Sequence, residues 1–226
     1  MAAETPLFTR IAAAYVRGSL GDAAGAREAP LDSLSADQRA ALITLGQSRG
    51  LRMHRFKRTP GRARVQAVLS ILRGLVPSDL LDIGSGRGTF LWPLLDAMPA
   101  LPVTATDTLA QRVADIQRVA DGGILTLSAA RADVTDLPFA DGSFDVVTAL
   151  EVLDRIPDTA LALRSALRVA RRFAIISVSS RADETSAHIH RFSAPQLAEL
   201  LRAHGAARVS VEHVPGHIIA VAKVAP

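Results

Sequence analysis

The chain has 226 residues, 49% hydrophobic and 21% charged, which suits one ordinary-to-large globular domain or a domain with an appendage and excludes a disordered chain. It contains no cysteine, so disulfides and cysteine-ligated zinc or iron–sulfur centres are excluded, and a reducing compartment fits. The net charge is +4, yet the window from Gln38 to Ser78 holds no Asp or Glu beside nine cations: Arg39, Arg49, Arg52, Arg55, Lys57, Arg58, Arg62, Arg64 and Arg73. Such a stripe can track phosphates or meet acidic partners, and it can equally be a solvated arginine-rich surface.

No basic-then-apolar leader opens the chain. No apolar run approaches the roughly 20 residues that span a bilayer, so the expectation is a cytoplasmic protein with no membrane partner. The first 78 residues read as helical. "LFTRIAAAYVRG" places Leu7, Ile11, Ala14 and Tyr15 on one face and is expected to stop at Gly18. Ser35 and Gln38 form a capping box for a helix running to about Ser48, with Gly50 as its stop. Thr59-Pro60 reads as an N-cap and first helical position, and Val65, Val68, Leu69, Leu72 and Val76 then follow at helical spacing until Pro77.

From there strand, turn and helix alternate. "DLLDI", "PVTATD", "ILTLSAA", "SFDVVTAL" and "FAIISVSS" are short strands, and the segments between them carry helical stripes such as Leu109, Val113, Ile116 and Val119. Pro93 is tolerable only in the first turn of its helix. Short buried strands alternating with helices mean a parallel sheet covered on both faces. After the helix "SAPQLAELLRAHG", two strands are separated only by Pro215-Gly216, and so short a turn requires an antiparallel hairpin. The expected fold is α/β: a doubly wound, mostly parallel, seven-stranded Rossmann-like sheet ending in that hairpin. Residues 1–78 are expected as an N-terminal helical lid or substrate region, and residues 79–226 as the ligand-binding domain.

The loop leaving the first strand is Gly84-Ser85-Gly86-Arg87-Gly88, where ligands of doubly wound sheets bind. Its glycine spacing misses the dinucleotide fingerprint, and no Gly-Lys-Ser/Thr follows for a phosphate loop. Asp82 just before it is ill-suited to a pyrophosphate and well suited to a cationic amino group.

At this point "LLDIGSGRG", "TATD", "ADVTDLPFADGSFDVVTALEVLDRIPD" and the closing hairpin resemble the class I S-adenosylmethionine-dependent methyltransferases, of the type 11-like branch. The likeness runs from about residue 78 to the end. It implies that Asp82 and the backbone of Gly84, Ser85, Gly86 and Gly88 hold the methionine part of S-adenosyl-L-methionine. It implies further that Asp107 accepts the ribose hydroxyls, that Asp133 and the backbone of Val134 meet the adenine edge, and that Glu151 lies near the methionine end or the acceptor.

Methyl transfer from a sulfonium needs alignment, and a base only where the nucleophile arrives protonated. Glu151, His188 and His190 are the candidate catalytic groups, with Asp154, His54 and Tyr15 also available. A related branch, the small-RNA 3′-terminal ribose 2′-O-methyltransferases, holds a divalent metal at the places of Glu151, Asp154, His188 and His190. Here Arg155 replaces a histidine ligand and cannot coordinate, so no metal is expected. The favoured reading is transfer to O, N or C of an unidentified small molecule. The alternatives are RNA, held by the basic stripe, and a non-catalytic cofactor-binding module.

Overall fold

The computed structural model describes residues 7–21, 29–58, 62–180 and 189–225. Three helices precede the sheet: α1 (Thr9–Leu20), α2 (Ala36–Ser48) and α3 (Ala63–Leu75). Then come β1 (Leu80–Ile83), α4 (Leu91–Ala97), β2 (Val103–Asp107), α5 (Ala110–Asp121), β3 (Leu127–Arg131) and β4 (Phe144–Leu150). The chain ends with α6 (Thr159–Val169), β5 (Ala170–Ser179), α7 (Ala194–Ala203), β6 (Ala206–Val214) and β7 (His217–Val224).

The seven strands are ordered β3-β2-β1-β4-β5-β7-β6. β1 with β4, β2 with β3 and β4 with β5 run parallel, while β7 is antiparallel to both β5 and β6. The expected parallel sheet with a terminal hairpin is what forms. The second hairpin strand, β7, is the one that joins the sheet, which leaves β6 at the edge.

By packing, the chain divides into two compact units: Met1–Gly61 with Ser85–Arg131, and Arg62–Gly84 with Ala132–Pro226. The helices before β1 are thus shared between both, α1 and α2 in the first and α3 in the second. In the first unit α1 lies directly on α5. A Cβ added at Gly122 would sit 1.7 Å from the carbonyl oxygen of Ala14, and one at Gly18 would sit 1.9 Å from that of Arg118. Only glycine permits that backbone-to-backbone approach. Tyr15, Phe56 and Trp92 stack in series with ring centroids 5.1 and 5.3 Å apart. Asp115 of α5 ties in Arg55, Arg118 at 2.8 Å and the Tyr15 hydroxyl, which donates to it at 3.3 Å.

In the second unit one sheet face presents Leu81, Ile83, Val147, Ala149, Ala174 and Ile176 to α6 and α7, which bury Leu163, Leu167, Leu197 and Leu201 against them. Strand alternation turns Asp82, Thr148 and Ser177 to the other face.

Local details differ from expectation. α1 runs through Gly18 and stops at Gly21 with φ 56°. Thr59-Pro60 lies outside the described residues, and α3 begins at Ala63 behind Arg62, which makes no side-chain cap. Leu109 is 52% exposed and precedes its helix, because its N–H is donated to Asp107 Oδ1 at 2.9 Å. The third strand starts only at Leu127, with Leu125 fully out in solvent before it.

Candidate functional site

The glycine loop is shaped by its own hydrogen bonds. Gly84, Gly86 and Gly88 have φ of 68°, 60° and 82°, the left-handed region. The Ser85 N–H donates to the Thr106 carbonyl at 2.9 Å, Gly86 N–H to Asp107 Oδ2 at 3.0 Å, and Gly88 N–H to the Ser85 carbonyl at 2.9 Å. Side chains are also excluded: a Cβ at Gly88 would lie 2.0 Å from the Trp92 ring, whose Nε1–H donates to the Arg87 carbonyl at 2.9 Å. Phosphate-cradling loops need free backbone N–H groups. Here three of them are turned inward.

Carboxylates follow the strands instead. Asp82 in β1 is 2% exposed and accepts the Thr148 hydroxyl at 2.8 Å. Asp107 closes β2, is 4% exposed, and accepts from Gly86 N–H, Leu109 N–H and, at 3.3 Å, Arg112 Nη1. It is not the N-cap of α5, a place that Leu109 holds without a side-chain cap. Asp133, two residues after β3, takes the N–H and hydroxyl of Thr135 at 2.9 and 2.7 Å, while Val134 beside it is buried. Glu151 directly follows β4. Each of the first four strands therefore ends in or near an acceptor-only group. A carboxylate accepts and cannot donate, so each of them suits a ligand hydroxyl, amine or ammonium and none suits polyphosphate.

Glu151 sits among charges that its neighbours in sequence do not reveal. Its Oε2 is 2.7 Å from Arg64 Nη1 of α3, and its Oε1 is 2.7 Å from His217 Nε2 at the start of β7. Burial pushes this carboxyl up. The Arg64 charge, then the hydrogen bonds from His217 and Arg64, outweigh burial and hold it below the ordinary range. The Glu151 N–H donates to the Ser177 carbonyl at 2.8 Å, and its φ is 58°.

The other candidates lie elsewhere. Asp154 and Glu151 do not share a helical face, since Glu151 is in left-handed geometry and only Leu153–Arg155 form a 3-10 turn. Asp154 is buried and accepts the Ser179 N–H at 3.2 Å, and its carbonyl takes the N–H groups of Ile189 and His190. His190 Nε2 faces the Pro157 carbonyl at 3.2 Å, and His188 lies outside the described residues. Arg155 and His54 are exposed, and Tyr15 is buried against Asp115. The basic stripe is divided between the two units. Arg55 pairs with Asp115, Arg58 with Asp96 at 2.8 Å and Arg64 with Glu151, so three of its cations already have carboxylates. Sequence reading missed Arg64 and His217 as partners of Glu151. No spacing signals a contact between residues so far apart in the chain.

Residues 81–177 match a family model described as a methyltransferase domain. The stretch that carries the glycine loop, Asp107 and Glu151 is thus similar to methyltransferase domains. Over 92 residues the chain is 38% identical to a demethylmenaquinone methyltransferase of Roseiflexus sp. (strain RS-1), a match covering 40% of this chain and 37% of that one. Over 107 residues it is 32% identical to a malonyl-acyl-carrier-protein O-methyltransferase of Geobacter sulfurreducens, covering 46% and 40%. The chain thus spans well under half the length of these relatives. Among solved structures, the 1,6-didemethyltoxoflavin-N1-methyltransferase of Burkholderia thailandensis, crystallised with its namesake and S-adenosylhomocysteine, superposes with a TM-score of 0.58. That likeness is at 23% identity over 73% of this chain and 79% of the other, and it shows the shared methyltransferase fold. Among the described residues no helix is long and apolar enough to cross a membrane.

Proposed function

We propose that the protein transfers a methyl group from S-adenosyl-L-methionine to a small-molecule acceptor. The observation that carries this reading is the inward-bonded glycine loop held at Gly86 by Asp107, the carboxylate that closes β2. Asp82 and the backbone of Gly84 to Gly88 hold the methionine part. Asp107 exchanges its contacts with Leu109 and Arg112 for the two ribose hydroxyls, a charge-assisted pairing. Asp133 and the Val134 N–H meet the adenine edge, and Glu151 lies on the acceptor side. The cofactor supplies an already activated methyl on a sulfonium, so what remains for the chain is to align the nucleophile, exclude water and manage a proton. The curated relatives named above are methyltransferases by name, and the small-molecule acceptor follows from them by analogy. Arg64 brings α3, and with it part of residues 1–78, into the acceptor end. His217 contacts Glu151, whereas His190 faces the Pro157 carbonyl.

Calorimetry tests the cofactor assignment. S-adenosylhomocysteine is expected to bind, and NAD and ATP are expected to give no heat. Binding of either nucleotide in its place, or silence with all three, overturns the reading.

A further inference from the structure

β6 pairs with β7 on one side and, among the described residues, with no strand on the other. Its nine residues therefore present a row of open N–H and C=O groups, the template for pairing with another chain. Proteins blunt such edges with proline, a very short strand or a bulge. This strand, "AARVSVEHV", contains no proline, and the irregularity in its ladder falls at its start, between Ala206 and Arg208. From Arg208 to Val214 the ladder with β7 is regular, so the outer edge there is even.

The charges on that edge are unmet within the chain. Arg208 is exposed and stands opposite Lys223 of β7, a like-charge neighbour that costs stability. Glu212 is exposed and stands opposite Ile219, which offers it no cation. Neither side chain makes a hydrogen bond or ion pair among the described residues. They share one face of the strand but lie about 13 Å apart along it, too far to meet each other. Ser210, also exposed, is midway between them, and Val209 and Val211 are half-buried on the opposite face. The run Arg-Val-Ser-Val-Glu is thus symmetric in shape and opposite in charge about Ser210.

We propose that β6 is the contact of a symmetric dimer, pairing antiparallel with β6 of a second copy of this chain about a two-fold axis at Ser210. In that register Arg208 of each copy lies opposite Glu212 of the other, Val209 opposite Val211, and Ser210 opposite its own counterpart. Each end of the pairing gains an opposite-charge pair, and Arg208 gains the carboxylate that Lys223 on its other side cannot supply. The two valine pairs cover side chains that are left half in solvent. A slip by one residue would put Arg208 and Glu212 on opposite faces and lose both charge pairs. The contact is isologous, as in most homodimers, and joins the two sheets into one. An unrelated strand could use the open backbone, but would carry the reversed charge order only by chance. The pairing stands independently of the methyl-transfer reading.

Sedimentation of the full chain over a concentration series should show a monomer–dimer equilibrium, because a short β pairing is a small interface. Arg208→Glu and Glu212→Arg should each weaken dimerisation about ten- to a hundredfold, since both charge pairs become like-charged. Mixed in equal amounts, the two variants should dimerise again, because each then offers the charges that the other lacks. The chain carrying both reversals should also recover. The absence of cysteine makes the register directly testable. Ser210→Cys should form a disulfide-linked dimer under mild oxidation, since directly opposite residues lie about 4.5–5.5 Å apart between Cα atoms. Ala207→Cys, which the register holds away from its counterpart, should not. A chain that stays monomeric throughout the series overturns the proposal. So does a dimer indifferent to both reversals, variants that fail to recover on mixing, or crosslinking through Ala207→Cys as readily as through Ser210→Cys.

Discussion

At the scale of single residues, what matters is which lone pairs and protons are already committed. Asp107 accepts a backbone N–H on each oxygen, which fixes it at the end of β2. Asp107→Ala is expected to weaken S-adenosylhomocysteine binding by about 1.5–3 kcal/mol, as for hydrogen bonds to a charged group, measured by calorimetry. Glu151 makes a second prediction. Its folded carboxyl titrates below its ordinary value of 4.5, so its contribution to stability is complete above that pH and is lost as pH falls through the lower folded value. The stability difference between wild type and Glu151→Gln in denaturant titrations should therefore be full at neutral pH and shrink below 4.5. A difference that stays constant into acid would mean that Arg64 and His217 do not hold the carboxylate.

At the scale of elements, local signals and close packing act separately. The capping box at Ser35 and Gln38 is present, each side chain meeting the other's backbone N–H. Ser35→Ala should cost about 0.5–2 kcal/mol by thermal or chemical unfolding, the usual range for an N-cap. The contact of α1 with α5 leaves no such margin. Gly122→Ala would drive a methyl into the Ala14 carbonyl, where no flexible side chain can yield. It should destabilise by about 1–3 kcal/mol or more, as overpacking does. The helix before β1 was legible by period. Leu109 was misread because periodicity cannot see Asp107 capture the N–H that would have continued the stripe.

At the scale of the whole molecule, the core of the second unit rests on a few aliphatic side chains, because aromatics are only 4% of the chain. Leu163→Ala, at a site with no exposed surface, should cost about 2–5 kcal/mol in denaturant titrations, the range for an unrelaxed core cavity. The mostly parallel sheet and the terminal hairpin were readable in advance. Alternating short strands and helices permit few topologies, and a Pro-Gly turn permits only an antiparallel return. The basic stripe was readable as charge but not as surface. Arg55, Arg58 and Arg64 each pair with a different carboxylate, so these three charges are already offset within the chain.

By itself the sequence determined the element order, the mostly parallel sheet, the glycine loop after β1 and the likeness of that stretch to methyltransferase domains. Those are properties of local period, turn chemistry and motif spacing, all written within a few residues of each other. Only the tertiary structure decided that Glu151 meets Arg64 from α3 and His217 from β7. That meeting depends on β7 lying next to β5 and on Glu151 adopting left-handed backbone geometry. The physical reason is range. Backbone preferences act over a turn or two, whereas a charge cluster is assembled by sheet order, which brings together residues dozens of positions apart.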